Sequence, residues 1–184
     1  PVPEPVSPPK KTPSEPGIEY AQPKSVTSLD LNKQGRLVVH IIGAVDLLSA
    51  DSNGLSDPYV KVRLPKPSGG EHKEQTKVVK NSLSPSWDQK FAFPGKLRDF
   101  VDQTLELKVR DYDRGPQVDN DIGDVEVSLG KLRSEKRIEF DRHPVAPPTY
   151  EGARRQMLLR KQRSGRDALK EGDCGLLTFV VSFE

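Results

Sequence analysis

LSDPYVKVRL, residues 55 to 64, sets an aspartate and a proline directly against a run in which Val60, Val62 and Leu64 alternate with Lys61 and Arg63. A period of two is the signature of a strand with one face buried and one face wet. The same pattern returns in TLELKVRDYD, residues 104 to 113, where Leu105, Leu107 and Val109 share one side and Glu106, Lys108 and Arg110 the other. This second run leads into VRDYDRGPQVDNDIG, residues 109 to 123, which crowds carboxylates into one turn. Carboxylates held close repel, so a fold that gathers them needs cations, raised pKa values or distance between them.

Working outward, short runs rich in β-branched or aromatic residues recur with turn signals between them: RLVVHII (36 to 42), DPYVKVRL (57 to 64), TKVVK (76 to 80), WDQKFAF (87 to 93), TLELKVRDYD (104 to 113), GDVEVSL (123 to 129), RIEF (137 to 140) and GLLTFVVSF (175 to 183). Leu177, Phe179, Val181 and Phe183 fall on one face of the last. Eight antiparallel strands with wet outer faces and scarce helical periodicity before residue 150 imply an all-β Greek-key sandwich. A Greek key can bring the loop holding Asp51 and Asp57 to the same end as the loop holding Asp111 and Asp113.

The chain has 184 residues, and 33% of them are hydrophobic, thin for a sequence that is globular from end to end. Eight of the 17 prolines precede Leu31, so residues 1 to 33 read as a Pro-rich disordered linker and 34 to 184 as one domain. SPPKKTPSEP within that linker is a tether or a ligand for proline-recognising domains. A formal charge of +2 is too small for bulk attraction to nucleic acid. One cysteine, Cys174, excludes an internal disulfide framework and fits a reducing compartment. No run is long enough for a membrane span, so the expected location is cytoplasmic with peripheral membrane association. The first residue is a proline, as expected of a fragment or a processed chain.

One segment departs from the strand pattern. Between Asp141 and Asp173, EGARRQMLLRKQRSGRDALK carries seven Lys or Arg against two acids, a basic insertion before the last strand with helix-compatible spacing at Ala153, Met157 and Leu158. It either packs on its own domain or offers residues 151 to 170 to anionic lipid or a protein partner.

Oxygen-rich loops with little other chemistry suit a hard cation, and calcium accepts six to eight oxygens in a tolerant geometry. Asp51 and Asp57 flank an SNG turn, Asp111 and Asp113 close a strand, and Asp119, Asn120 and Asp121 return beyond GPQV. Catalysis lacks a comparable signal. DxD at Asp111 and Asp113 occurs in some phosphatases, but the following Thr or Val is Gly115, and the helices that a parallel sheet needs are missing. An EF-hand counted from Asp111 would place Pro116 where glycine is required and Ile122 where the bidentate glutamate is required. His40, His72 and His143 lack zinc spacing, and no phosphate-cradling or nucleophile-elbow motif occurs.

GRLVVHIIGAVDLLSADSNGLSDPYVKVRL, TKVVKNSLSPSWDQKFAF and LELKVRDYDRGPQVDNDIGDVEV, in this order and spacing, resemble the C2 domain, the calcium-dependent phospholipid-binding β-sandwich of synaptotagmins, protein kinase C and many trafficking proteins. The resemblance covers residues 35 to 127 and implies Asp51 and Asp57 as calcium ligands of the first loop and Asp111 and Asp113 of the third. Asp119 is the assigned last ligand, with Asn120 and Asp121 as alternates. An acidic loop that follows the first strand, with GLLTFVVSF closing the sandwich, resembles the circular variant called type II topology. Tyr59, Lys61 and Lys77 match phosphoinositide-binding positions, whereas Gln75 and Arg110 depart from the pattern, Arg110 standing where an aromatic is usual. Leu55 and Val118 are the candidate loop tips for shallow insertion.

The resulting expectation is a calcium-dependent module that brings a larger trafficking or signalling protein to anionic membranes, through phosphatidylserine or phosphoinositide headgroups. The alternative is a calcium-independent module that binds phosphoinositide or a protein through the basic strand face or the insertion. Neither reading is enzymatic.

Overall fold

A computed structural model describes residues 29–50, 54–113, 119–148 and 174–184. Two four-stranded antiparallel sheets stack face to face. Strands are numbered in chain order: β1 Gln34–Val45, β2 Pro58–Pro65, β3 Glu71–Gln75, β4 Ser86–Lys96, β5 Thr104–Asp111, β6 Asn120–Ser128, β7 Arg137–Pro144 and β8 Leu176–Phe183. One sheet runs β4-β1-β8-β7 and the other β3-β2-β5-β6. Helix is confined to α1, Arg98–Val101, and a 3-10 turn at Gly130–Arg133, among the described residues. The first acidic loop follows β1, and β8 closes the sandwich between β1 and β7, the strand order of the type II variant.

Alternation in the sequence becomes the two faces of each sheet. Leu37, Val39 and Ile41 of β1 meet Val60, Val62 and Leu64 of β2 and Leu105, Leu107 and Val109 of β5 in one core, all fully buried. From β8 come Leu177, Phe179 and Val181, also fully buried, with Phe183 beside them. Each such side chain contributes roughly 1.5–3 kcal/mol by leaving water, and Phe179 adds a stacked contact on Phe140 at 4.4 Å. Gly175, at φ 111°, lets the chain enter β8 against Leu47, where a Cβ would lie 2.8 Å from Leu47 Cδ2.

The expected strand at 76 to 80 is displaced. Its place in the sheet is taken by EHKEQ, residues 71 to 75, paired from Glu71 opposite Pro65 to Gln75 opposite Lys61. A tight turn through Gly69 and Gly70, both at positive φ, sets that register, so the residues directly after the turn occupy the ladder despite their charge. At Thr76 the side-chain hydroxyl accepts the Val60 N–H at 2.9 Å, and regular pairing ends. Charged side chains on this edge also disfavour pairing with another molecule's strand. The basic insertion between β7 and β8 falls outside the described residues except at its two ends.

Two irregularities matter for the site. Pairing of β1 with β4 and with β8 shifts between Ile41 and Gly43. In the other sheet, Val109 faces Gly123 but Arg110 faces Asp121, so β6 carries one extra residue, Ile122. Such a bulge bends the strand and re-aims its side chains.

Candidate functional site

The described parts of three connections meet at one end of the sandwich: residues 46–50 and 54–57 between β1 and β2, 76–85 between β3 and β4, and 112–113 with 119 between β5 and β6. Hydrogen bonds lace them together. The first loop closes on Ser56, fully buried, whose hydroxyl donates to the Leu48 carbonyl at 3.1 Å and accepts the Ala50 N–H at 2.9 Å. From Ser56 the chain turns into Asp57, whose N–H donates to Asp111 Oδ1 at 2.6 Å. Asp57 Oδ1 in turn accepts the N–H of Asn81 in the middle loop at 2.7 Å, and the Tyr112 N–H donates to the Asp57 carbonyl at 3.0 Å. Asn81 holds a positive φ of 53°, which Asn tolerates better than most residues.

Asp111 is fully buried at the base of this cluster. Asp113 and Asp119 face each other across the neck of the third loop. Asp119 Oδ1 accepts the Asp113 N–H at 3.3 Å, and Asp113 Oδ2 accepts the Asn120 side-chain amide at 2.6 Å. The other Asp119 carboxylate oxygen takes the Tyr59 hydroxyl. Burial pushes the Tyr59 hydroxyl pKa well up, and its bond to Asp119 adds to the effect. Asp121 points elsewhere, its Oδ1 2.9 Å from Arg110 Nε.

Asp57 and Asp111 thus form one bonded pair and Asp113 and Asp119 another, joined through the short stretch Asp111–Asp113, whereas Asp51 and Val118 lie outside the described residues. Among the described residues no three acidic, histidine or cysteine side chains already converge as a finished metal site. The donor set nevertheless fits a hard cation: it offers oxygen alone, it draws on two loops fastened to each other, and no thiolate or imidazole competes. Were a cation to bind here, Asp57, Asp111, Asp113 and Asp119 are the described side chains that would be available to hold it.

The outer face of the β3-β2-β5-β6 sheet carries the basic candidates. Lys61, Arg63, Lys73 and Gln75 line a shallow groove of about 280 Å³. Carboxylates offset part of its charge: Glu71 lies 2.7 Å from Lys73, and Glu106 lies 3.9 Å from Arg63 and 3.0 Å from Lys108. Burial lowers the Lys61 pKa, and the Arg110 charge lowers it further; Lys61 Nζ sits 5.5 Å above the Tyr59 ring. Tyr59 itself is 2% exposed, so its contact is with Asp119 and not with solvent. Lys77 is exposed in the middle loop, its N–H donating to Gln89 Oε1 at 2.6 Å. Leu55 is half-buried.

Sequence reasoning passed over Tyr112, which is 42% exposed between Asp111 and Asp113 and is the one exposed large hydrophobic among the described residues. The signal was present as an aromatic in the turn. Asn81 and Ser56 were missed because neither belongs to an acidic motif, although Ser56 stands directly before Asp57.

A family model described as the C2 domain matches residues 35–143, more than half of the chain. The chain belongs to the C2 domain family. Curated relatives include rabphilin-1 of Caenorhabditis elegans, 35% identical over 96 residues, covering 52% of this C2 chain and 8% of the relative. Synaptotagmin-7 of Homo sapiens is 34% identical over 128 residues, covering 69% of this chain and 31% of the relative. The C2 chain thus spans less than a third of the length of either relative. Among solved structures, a C2 domain of a plant extended synaptotagmin 1 superposes with TM-score 0.57 at 22% identity, covering 82% of this chain and 94% of that one. A calcium-bound structure of two C2 domains of extended synaptotagmin 2 gives TM-score 0.55 at 23% identity, covering 81% and 45%. At these identities the likeness concerns the fold. Among the described residues no helix is long and apolar enough to cross a membrane.

Proposed function

We propose that this C2 domain binds anionic phospholipid surfaces when calcium is present, and serves as the membrane-targeting module of a larger trafficking or signalling protein. The observation that carries the reading is the direct bond from the Asp57 N–H to Asp111, which fastens the two acidic loops together beside Asp113 and Asp119. When bound, calcium supplies positive charge and open coordination positions for lipid phosphate or carboxylate oxygens.

The chain's own residues set the terms. Metal-free, the carboxylates of Asp57, Asp111, Asp113 and Asp119 make one rim negative and disfavour contact with an anionic leaflet. Because one bound cation would contact both these carboxylates and the lipid's own oxygens, the two affinities are coupled reciprocally: anionic lipid tightens calcium binding by the factor by which calcium tightens lipid binding. Exposed Tyr112 places an amphipathic ring at the same rim. Lys61, Arg63 and Lys73 add attraction from the sheet face, about 1 kcal/mol for each cation near the leaflet before their carboxylate partners are counted.

That groove also supports a second reading, calcium-independent binding of phosphoinositide or a protein. Co-sedimentation with phosphatidylserine vesicles separates the two, with calcium or with chelator, for the wild type, for the double variant Asp111→Asn, Asp113→Asn, and for Lys61→Glu with Lys73→Glu. Calcium-dependent binding that the double variant loses supports the first. Equal binding with calcium and with chelator, lost only on charge reversal, supports the second.

A further inference from the structure

Arg110 occupies an unusual position for a cation. The bulge at Ile122 of β6 brings Asp121 opposite it, at the returning arm of the acidic loop. There its guanidinium donates to the Asp119 carbonyl at 2.8 Å, and its Nε lies 2.9 Å from Asp121 Oδ1, an ion pair without an aligned hydrogen bond. The Arg110 side chain is 16% exposed. Tyr59 stands directly across from Arg110 in the β2-β5 ladder, and its hydroxyl holds the Asp119 carboxylate. Asp119 is thus gripped at both ends by one cross-strand pair: its carbonyl by Arg110 and its side chain by Tyr59.

We propose that Arg110 is the built-in counter-ion of the acidic loop, a fixed cation that holds the Asp119–Asp121 arm against β5 when no metal is present and so positions Asp119 in advance. The proposal rests on the reading of the loop as a calcium site for its second half only. Asp111, Asp113, Asp119 and Asp121 repel one another whether or not a metal ever binds, and Arg110 is the residue whose guanidinium bridges Asp119 to Asp121. A guanidinium suits the task because it stays charged and can contact two oxygens at once from one rigid plane. Its charge also opposes an incoming cation, so the arrangement exchanges some metal affinity for order in the metal-free state.

The test is thermal unfolding of the domain in chelator and in saturating calcium, at low salt and in about 0.5 M NaCl, where screening is strong. Arg110→Gln should melt about 3 to 6 °C below wild type in chelator at low salt, as expected for a partly buried pair. The deficit should fall by about half or more in calcium, and also in high salt, because either source of cations relieves the same repulsion. Calcium titration should show Arg110→Gln binding on the order of twofold to fivefold more tightly than wild type. Arg110→Lys keeps the charge without the two-point grip, and should recover about half of the chelator deficit. A deficit equal in chelator, calcium and salt would reduce Arg110 to a packing role and overturn the proposal, as would an unchanged melting temperature in chelator. If wild type shows no calcium response while the Arg110→Gln deficit is rescued by salt, the calcium reading fails and the counter-ion role stands.

Discussion

Asp57 performs two tasks that substitution can separate. Its carboxylate accepts the Asn81 N–H at 2.7 Å and so holds the middle loop, and it is also a candidate calcium ligand. A hydrogen bond to a charged acceptor contributes about 1.5–3 kcal/mol. Asp57→Ala therefore lowers stability by about that amount in chelator, or roughly 5 to 10 °C for a domain of this size. Asp57→Asn retains a side-chain carbonyl for the Asn81 N–H, so in chelator it loses about half as much or less. Calcium reverses the comparison. At a hundred times its dissociation constant, a ligand that binds only the folded state stabilises it by about 2.7 kcal/mol, which is roughly 6 to 10 °C of melting temperature. Both variants should lose most of that gain, because neither presents the negative oxygen. Differential scanning calorimetry of the three proteins in chelator and calcium reads all of these values. An Asp57→Asn protein with the full calcium shift would remove Asp57 from the ligand set, and an Asp57→Ala protein as stable as wild type in chelator would refute the loop-holding role.

Phe179, fully buried and stacked on Phe140, should cost about 3–5 kcal/mol as Phe179→Ala in urea denaturation; a loss below about 1 kcal/mol would contradict its place in the core. His72 packs on Phe93 at 5.1 Å, and burial, then the Lys66 charge, lowers its pKa from 6.5, against a smaller opposing pull from Glu74. A base lowered in the folded state binds fewer protons there than in the unfolded chain, so its contribution is complete above pH 6.5 and is lost as the pH falls below that value. The melting temperature of wild type should accordingly fall relative to His72→Phe between about pH 7 and about pH 5, the histidine range, and parallel curves would refute the assignment.

The strands and the acidic motifs were legible because both are local. Alternation over Leu105, Leu107 and Val109, or over Leu177, Phe179 and Val181, reports which side of a strand is apolar, and a strand with one apolar side has few ways to bury it. Clustering of Asp111 and Asp113 is visible without a partner. TKVVK failed for the opposite reason: its strand-like residues were outcompeted by the register of the turn before them, a property of the hairpin and not of the segment.

What the sequence by itself determined, then, is the two-sheet sandwich, its membership of the C2 family and the carboxylates available at its loops. Tertiary structure decided what those carboxylates touch. Asp57 meets Asp111 across 54 positions of sequence, Tyr59 meets Asp119 across 60, and Asn81 meets Asp57 across 24. A bulge of one residue in β6 sets Asp121 opposite Arg110. Periodicity cannot foretell such pairs, because a side chain's face follows from its own neighbours, whereas the group opposite it follows from register between distant strands, where a shift of one residue replaces every partner.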